Sequence, residues 1–118
     1  MTTIYNVYSA SCPTRAALDR IADKWSMLIV AALAERPYRF GALSRRINGI
    51  SQKMLTQTLR SLERDGIVLR RVETTVPIAV EYSLTPLGET LAVPIAAVRD
   101  WAEAHMDEIL AARARNLG

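Results

Sequence analysis

The sequence predicts a mainly α-helical domain that carries one small β-hairpin. Three observations predict it. Apolar residues recur at helical spacing in five separate stretches of the 118-residue chain. Two short runs rich in β-branched residues, Ile67 to Val72 and Ala79 to Leu84, flank a loop that contains Pro77. From Arg36 to Val72, nine lysines and arginines stand against two carboxylates, so this segment is +7 in a chain whose total is +3.

Met1 to Ser11 reads as an extended arm, and residues 12–118 as a single folded domain. Cys12-Pro13 opens a first helix, because proline suits the first helical position, where no N–H bond is lost. Ala16, Ala17, Leu18 and Ile21 give it a short apolar face. Asp23 is placed to cap a second helix, Lys24 to Glu35, in which Trp25, Leu28, Ile29, Ala32 and Leu33 recur at helical spacing. Pro37 ends it. Tyr38-Arg39-Phe40 has the length of a very short strand. Phe40, Leu43 and Ile47 mark a third helix of about two turns, which Asn48-Gly49 stops.

Ser51 caps a fourth helix, Gln52 to Arg64, with Leu55, Leu59 and Leu62 on one side. Gln52, Lys53, Thr56, Gln57, Arg60 and Arg64 fall on the other. Asp65-Gly66 closes it, and the two strands follow. Thr85-Pro86 starts the last helix, which is expected to reach about Arg115. Pro94 should kink this helix or thin its hydrogen bonding. Helix, helix, helix-turn-helix, hairpin, helix is the order of a winged helix-turn-helix, with one further helix at each end.

The basic segment points to double-stranded DNA. A recognition helix must pack rigidly on one face and present hydrogen-bonding side chains on the other. The fourth helix has both faces. Gln52, Lys53, Thr56 and Gln57 occupy its first turn and a half, the part that enters a major groove in this motif. Glutamine matches adenine N6 and N7, and lysine matches guanine O6 and N7. Arg60, one turn on, suits a phosphate, as do Ser51 and the free N–H groups at the helix start. Arg39 adds charge nearby. Arg70 and Arg71 alternate across a strand, so only one meets the duplex directly, and Arg71 is the candidate. The wing loop, Glu73 to Ile78, has no lysine or arginine. Thr74 or Thr75 can touch phosphate there, and a purely structural hairpin is the alternative.

Other classes are excluded or disfavoured. Met1 to Ser11 has no basic n-region, which argues against a signal peptide, and no apolar stretch approaches the ~20 residues that span a bilayer. A single cysteine suits a reducing cytoplasm. No paired carboxylates, glycine-rich phosphate loop or nucleophile–base pair is visible, so neither an enzyme nor a cofactor is expected. One cysteine and one histidine do not make a metal site. The remaining rival is a winged helix that holds an acidic protein partner on its basic face.

The chain resembles the HxlR-type transcriptional regulators of the MarR-like group. The resemblance rests on Cys12-Pro13, Lys24 to Ile29, Arg39 to Leu43, Ile50 to Gln57, Leu59 to Glu63, Asp65 to Val68 and Val80 to Gly88. It implies a homodimeric bacterial DNA-binding regulator whose first and last helices make the dimer contacts and whose Ser51-Gln52-Lys53 helix reads the major groove. It departs from the family pattern at Ala79, where a basic residue usually precedes the Val-Glu-Tyr block.

Some relatives sense oxidants or electrophiles through the Cys-Pro cysteine, here Cys12. At a helix N-terminus the dipole favours its thiolate. The alternative is a small residue packed at an interface. An oxidant or small-molecule effector is thus a candidate partner. The last helix carries a seam of Leu91, Ile95, Val98, Ala102, His105 and Ile109, with Trp101 nearby. That seam either folds back on its own domain or pairs with a second subunit. With Leu18, the candidates for a dimer interface are Leu91, Ile95, Val98, Trp101 and Ile109.

Overall fold

The computed structural model describes residues 4–74 and 76–116. Thr75 and the first three residues of the arm lie outside that set. Five helices and three strands run in the order α1 (Pro13–Ile21), α2 (Lys24–Glu35), β1 (Tyr38–Arg39), α3 (Phe40–Arg46), α4 (Gln52–Arg64), β2 (Val68–Glu73), β3 (Ala79–Leu84) and α5 (Pro86–Asn116).

Local chemistry sets most of the boundaries. The Asp23 carboxylate accepts from the Trp25 and Ser26 N–H groups at 3.2 and 3.3 Å and starts α2. The Ser51 hydroxyl accepts from Met54 N–H at 3.0 Å and starts α4. Gly49 and Gly66 follow α3 and α4 with φ of 91° and 75°, a region that residues with a Cβ rarely enter. The Thr85 hydroxyl accepts from Gly88 N–H at 3.0 Å and caps α5.

Two sequence expectations change, and a third, the short strand at Tyr38-Arg39-Phe40, holds but loses Phe40 to α3. The arm is not extended up to the first helix, because Ser9 N–H bonds Asn6 C=O and Cys12 N–H bonds Ser9 C=O, both at 3.1 Å, turning the chain into α1. The hairpin begins at Val68 rather than Ile67 and runs on to Glu73, since Ile67 N–H closes on Leu62 C=O at 2.9 Å. Tyr38–Arg39 is a true strand that pairs antiparallel with β3, so the sheet has three strands in the order β1-β3-β2. Pro94 lies inside α5 without ending it. It costs the hydrogen bond its own nitrogen would donate.

The core sits where α2, α4, the sheet and the start of α5 meet. Ile29, Val30, Leu33, Leu43, Leu55, Leu59, Leu62, Ile67, Val68 and Ile95 are its buried side chains. Leu91 packs against it from α5. Ile95 and Leu91, expected at a subunit interface, therefore turn inward in their own chain. By contrast α1 buries none of its residues. It is tied to the end of α4 by Arg20, whose Nε and Nη2 donate to Asp65 at 2.7 and 3.3 Å.

Gly88 marks the tightest join. A Cβ there would collide with the Ile67 carbonyl oxygen and press on Leu84. The missing side chain lets α5 lie directly against the α4–β2 connection. Thr85 reinforces the join, with its N–H on Ile67 C=O at 3.0 Å and its hydroxyl on Gly66 C=O at 2.5 Å. Gly88→Ala should lower stability by about 3 kcal/mol, because a backbone carbonyl cannot step aside as a side chain can. A lower urea midpoint at unchanged slope would show this, and an unchanged midpoint would refute the close approach.

Candidate nucleic-acid interface

The geometry of α4 follows from its two faces. Leu55, Leu59 and Leu62 are at most 2 % exposed and seat it on the core. Thr58 is buried with them, and its hydroxyl donates to Met54 C=O at 2.7 Å, so it needs no outside partner. Gln52, Lys53, Gln57 and Arg60 are exposed on the opposite face, and Thr56 is half-buried beside them. The recognition side chains named from sequence thus project from a helix that cannot roll without exposing leucines.

Ser51 has a narrower role than expected. Its oxygen already accepts from Met54 N–H, leaving its O–H free to donate outward. The Gln52 and Lys53 N–H groups precede the first intrahelical bond, and so also point at whatever approaches the helix start. Met54, which the charge pattern gave no reason to choose, is 37 % exposed among these polar groups. Its thioether chain offers an apolar surface of the kind that meets a thymine methyl.

The sheet register sorts the arginines. Tyr38, Tyr82 and Arg70 stand opposite one another across the three strands, and Arg39, Glu81 and Arg71 form the next row. Residues in one row share a face. Tyr38 is buried, so its row faces the core side of the sheet, and Arg70 lies at that row's outer end beside α4. Arg71 lies on the opposite face with Arg39, Glu81 and Glu73. Arg39 Nη2 approaches Glu73 Oε2 at 3.9 Å. On that outer face Arg39 has a carboxylate at hand and Arg71 has none within 4.0 Å among the described residues, while Arg70 stands nearer α4, where it lines a hollow with Thr56, Leu59, Arg60 and Glu63.

The +7 of the basic segment is also partly spent inside the molecule. Arg46 Nε and Nη2 donate to the two Glu35 carboxylate oxygens at 3.0 and 2.8 Å, and Tyr38 O–H donates to Oε1 at 3.0 Å. These hydrogen bonds, Arg46's first, hold the Glu35 carboxyl at about 2, below its ordinary 4.5. Arg36 lies over the Tyr38 ring at 4.0 Å. Among the described residues, Lys53, Arg60, Arg64, Arg70 and Arg71 have no carboxylate within 4.0 Å. They cluster on α4 and β2.

The wing tip is apolar. Thr74 is exposed, and Val76 and Ile78 are 97 % and 74 % exposed. Away from this face, Leu18, Val98 and Trp101 are 48, 54 and 57 % exposed, while Ile109 is half-buried. The Trp101 and His105 rings stack at 4.7 Å. A groove of about 710 Å³ runs between α2 and α5, floored by Met27, Leu28, Ala31, Val98 and Ala102 and reaching Asn48 in the turn before α4. Among the described residues, no helix is long and apolar enough to cross a membrane.

The fold, with a capped, exposed and uncompensated helix beside a hairpin, defines a winged helix-turn-helix transcriptional regulator. The HxlR-like helix-turn-helix family model matches residues 20–110, and the chain belongs to that family. It is 45% identical over 108 residues to the HTH-type transcriptional regulator YtfH of Escherichia coli K12, covering 92% of this chain and 86% of that one. The structure of YtfH from Salmonella typhimurium superposes with a TM-score of 0.88 at 41% identity, covering 94% of this chain and 99% of that one. The redox regulator HypR in its oxidised form superposes with a TM-score of 0.73 at 41% identity, over 79% and 96% of the two chains.

The Glu35–Arg46 pair predicts a pH signature. A carboxyl held below its unfolded value stabilises the fold above about pH 4.5 and loses that contribution as pH falls towards about 2. The pair is about half exposed, so solvent weakens the effect. Glu35→Gln should unfold at lower urea than the wild type at pH 7, with the gap narrowing at pH 3. A gap independent of pH would mean that the pair contributes through shape alone.

Proposed function

We propose that the chain is a homodimeric, sequence-specific DNA-binding regulator that inserts α4 into the major groove of a pseudo-palindromic operator. The observation that carries this reading is the face of Gln52, Lys53, Gln57 and Arg60, exposed opposite a row of buried leucines. Gln52, Lys53 and Gln57 meet base edges, Thr56 and Met54 add methyl and hydroxyl contacts, and Arg60 and Ser51 hold phosphates. Arg39, Arg71 and Thr74 approach the backbone from the sheet and wing, and Thr75 belongs to the same loop. An acidic protein partner fits less well, since it would need no glutamines at the tip of the helix.

Dimerisation follows from what one chain leaves uncovered. Leu18 on α1 and Val98 and Trp101 on α5 leave apolar surface unburied, and Val98 also lines the apolar groove between α2 and α5. A second copy covers it. Two recognition helices then enter successive major grooves roughly 34 Å apart.

Cys12 serves as the sensor. It sits half-exposed at the N-terminus of α1, with Sγ 3.3 Å from the Asn6 N–H and 3.4 Å from the Thr14 hydroxyl. The Thr14 side chain, then its N–H, lowers the thiol below its ordinary value, and Asn6 adds to this against the effect of burial. Such a thiolate attacks oxidants and electrophiles. With one cysteine per chain, a disulfide must join Cys12 to a second subunit or a small thiol. The oxidant takes up the two electrons and two protons released. Resemblance to HypR and to diamide-treated YodB supports this role. The Arg20–Asp65 pair carries a shift of α1 to the end of α4.

Selection from a random duplex pool tests the DNA reading. The wild type should enrich a two-fold symmetric site. Lys53→Ala and Gln57→Ala should relax base preference by about 1–3 kcal/mol at one position each, whereas Arg60→Ala should weaken all sequences alike and reduce the salt slope by about 1. Enrichment that survives all three changes would remove α4 from the interface. For the sensor, diamide should alter binding by the wild type and leave Cys12→Ser unmoved. Equal responses from the two proteins would dismiss Cys12.

A further inference from the structure

Between α4 and the hairpin lies a hollow of about 380 Å³, lined by Thr56, Leu59, Arg60, Glu63, Arg70 and Tyr82. Two arginines from different elements thus open into one small space. Neither has a carboxylate within 4.0 Å among the described residues, whereas Arg20, Arg39, Arg46 and Arg99 all do. Their positions are set independently. Arg60 follows Leu59 on a helix whose leucines are buried, so it leaves α4 at the rim of the packed face. Arg70 is set by register, opposite Tyr82, which is itself opposite the buried Tyr38. Arg71, one residue on, points the other way.

We infer that Arg60 and Arg70 form a clamp for a single backbone phosphate of the duplex. Two arginines lining one hollow suit a tetrahedral oxyanion, which offers an acceptor to each fork. Glu63 also lines the hollow, and its charge sets a limit: one phosphodiester, with a single negative charge, leaves the filled hollow neutral beside two arginines and one carboxylate. A more highly charged phosphate monoester would not. Arg60 lies roughly 12 Å along α4 from Gln52, at about 1.5 Å per residue, so the clamped phosphate flanks the bases read by the helix tip. The clamp does a second thing. It ties the wing to the recognition helix through the nucleic acid, and so replaces the basic wing tip that this chain lacks.

This inference rests on the DNA-binding reading, and the experiment separates the two. The probe is the duplex enriched by the wild type, prepared as a series with one phosphate at a time replaced by a neutral methylphosphonate. Arg70→Ala should bind every duplex roughly tenfold more weakly, with a salt slope reduced by about 0.9 or less. The same phosphate should lose its importance in Arg60→Ala and in Arg70→Ala, and its replacement should cost nothing in the double variant. Arg71→Ala should leave that position's penalty unchanged. If Arg70→Ala binds like the wild type, or if the two variants silence different phosphates, the clamp is overturned while the DNA reading stands. A wild-type protein that enriches no duplex overturns both. All three arginines are exposed, so these variants should fold, and thermal midpoints equal to the wild type confirm it.

Discussion

Leu55, Leu59 and Leu62 hold α4 on the core, and the orientation of its exposed polar face depends on that seating. A helix of 13 residues is marginal by itself in water. Here three buried leucines, a serine cap and a glycine stop give it one orientation. Burying three leucine side chains is worth roughly 1.5–3 kcal/mol each, more than any polar contact on the opposite face could return. Polar residues therefore point outward because the apolar ones cannot. The exposed polar face is the remainder of a packing problem solved on the other side, and its rigidity suits the base reading proposed for it.

Electrostatics refines that face rather than creating it. The chain places many arginines near α4, and the fold then divides them. Arg46 is committed to Glu35 and Tyr38, Arg39 to Glu73, and Arg20, from α1, takes Asp65 at the end of the recognition helix. Among the described residues, Lys53, Arg60, Arg64, Arg70 and Arg71 keep no carboxylate within 4.0 Å, and they sit on α4 and β2. Pairing thus does two jobs. It ties α1 to the end of α4, and it ties α3 to α2. Free and paired arginines look alike in a list of residues, and distances alone tell them apart.

The same economy explains the ends of the chain. A domain of this length buries only about two thirds of its surface. The core is filled by α2, α4, the sheet and the first turns of α5, leaving α1 and the outer half of α5 with their apolar residues in water. Such surface is suited to a twin chain. Cys12 stands at the start of α1, a helix none of whose residues is buried within its own chain.

The sequence by itself determined the elements and the exposed polar face of α4. Caps at Asp23 and Ser51, stops at Gly49 and Gly66 and the leucine spacing of α4 are local signals, acting within a turn or two of the chain, and the structure follows them to within a residue. The family, too, was legible in blocks such as Lys24 to Ile29 and Ile50 to Gln57. Tertiary structure decided what depends on partners distant in sequence. Tyr38–Arg39 became a strand only because β3 lies beside it. Ile95 and Leu91 joined their own core because Gly88 lets α5 close on Ile67. Arg70 rather than Arg71 came to stand beside α4 because register, which one buried tyrosine sets across three strands, assigns each side chain its face. Helical spacing shows that a residue has a buried side or an exposed one. Only the packed chain shows what it is buried against.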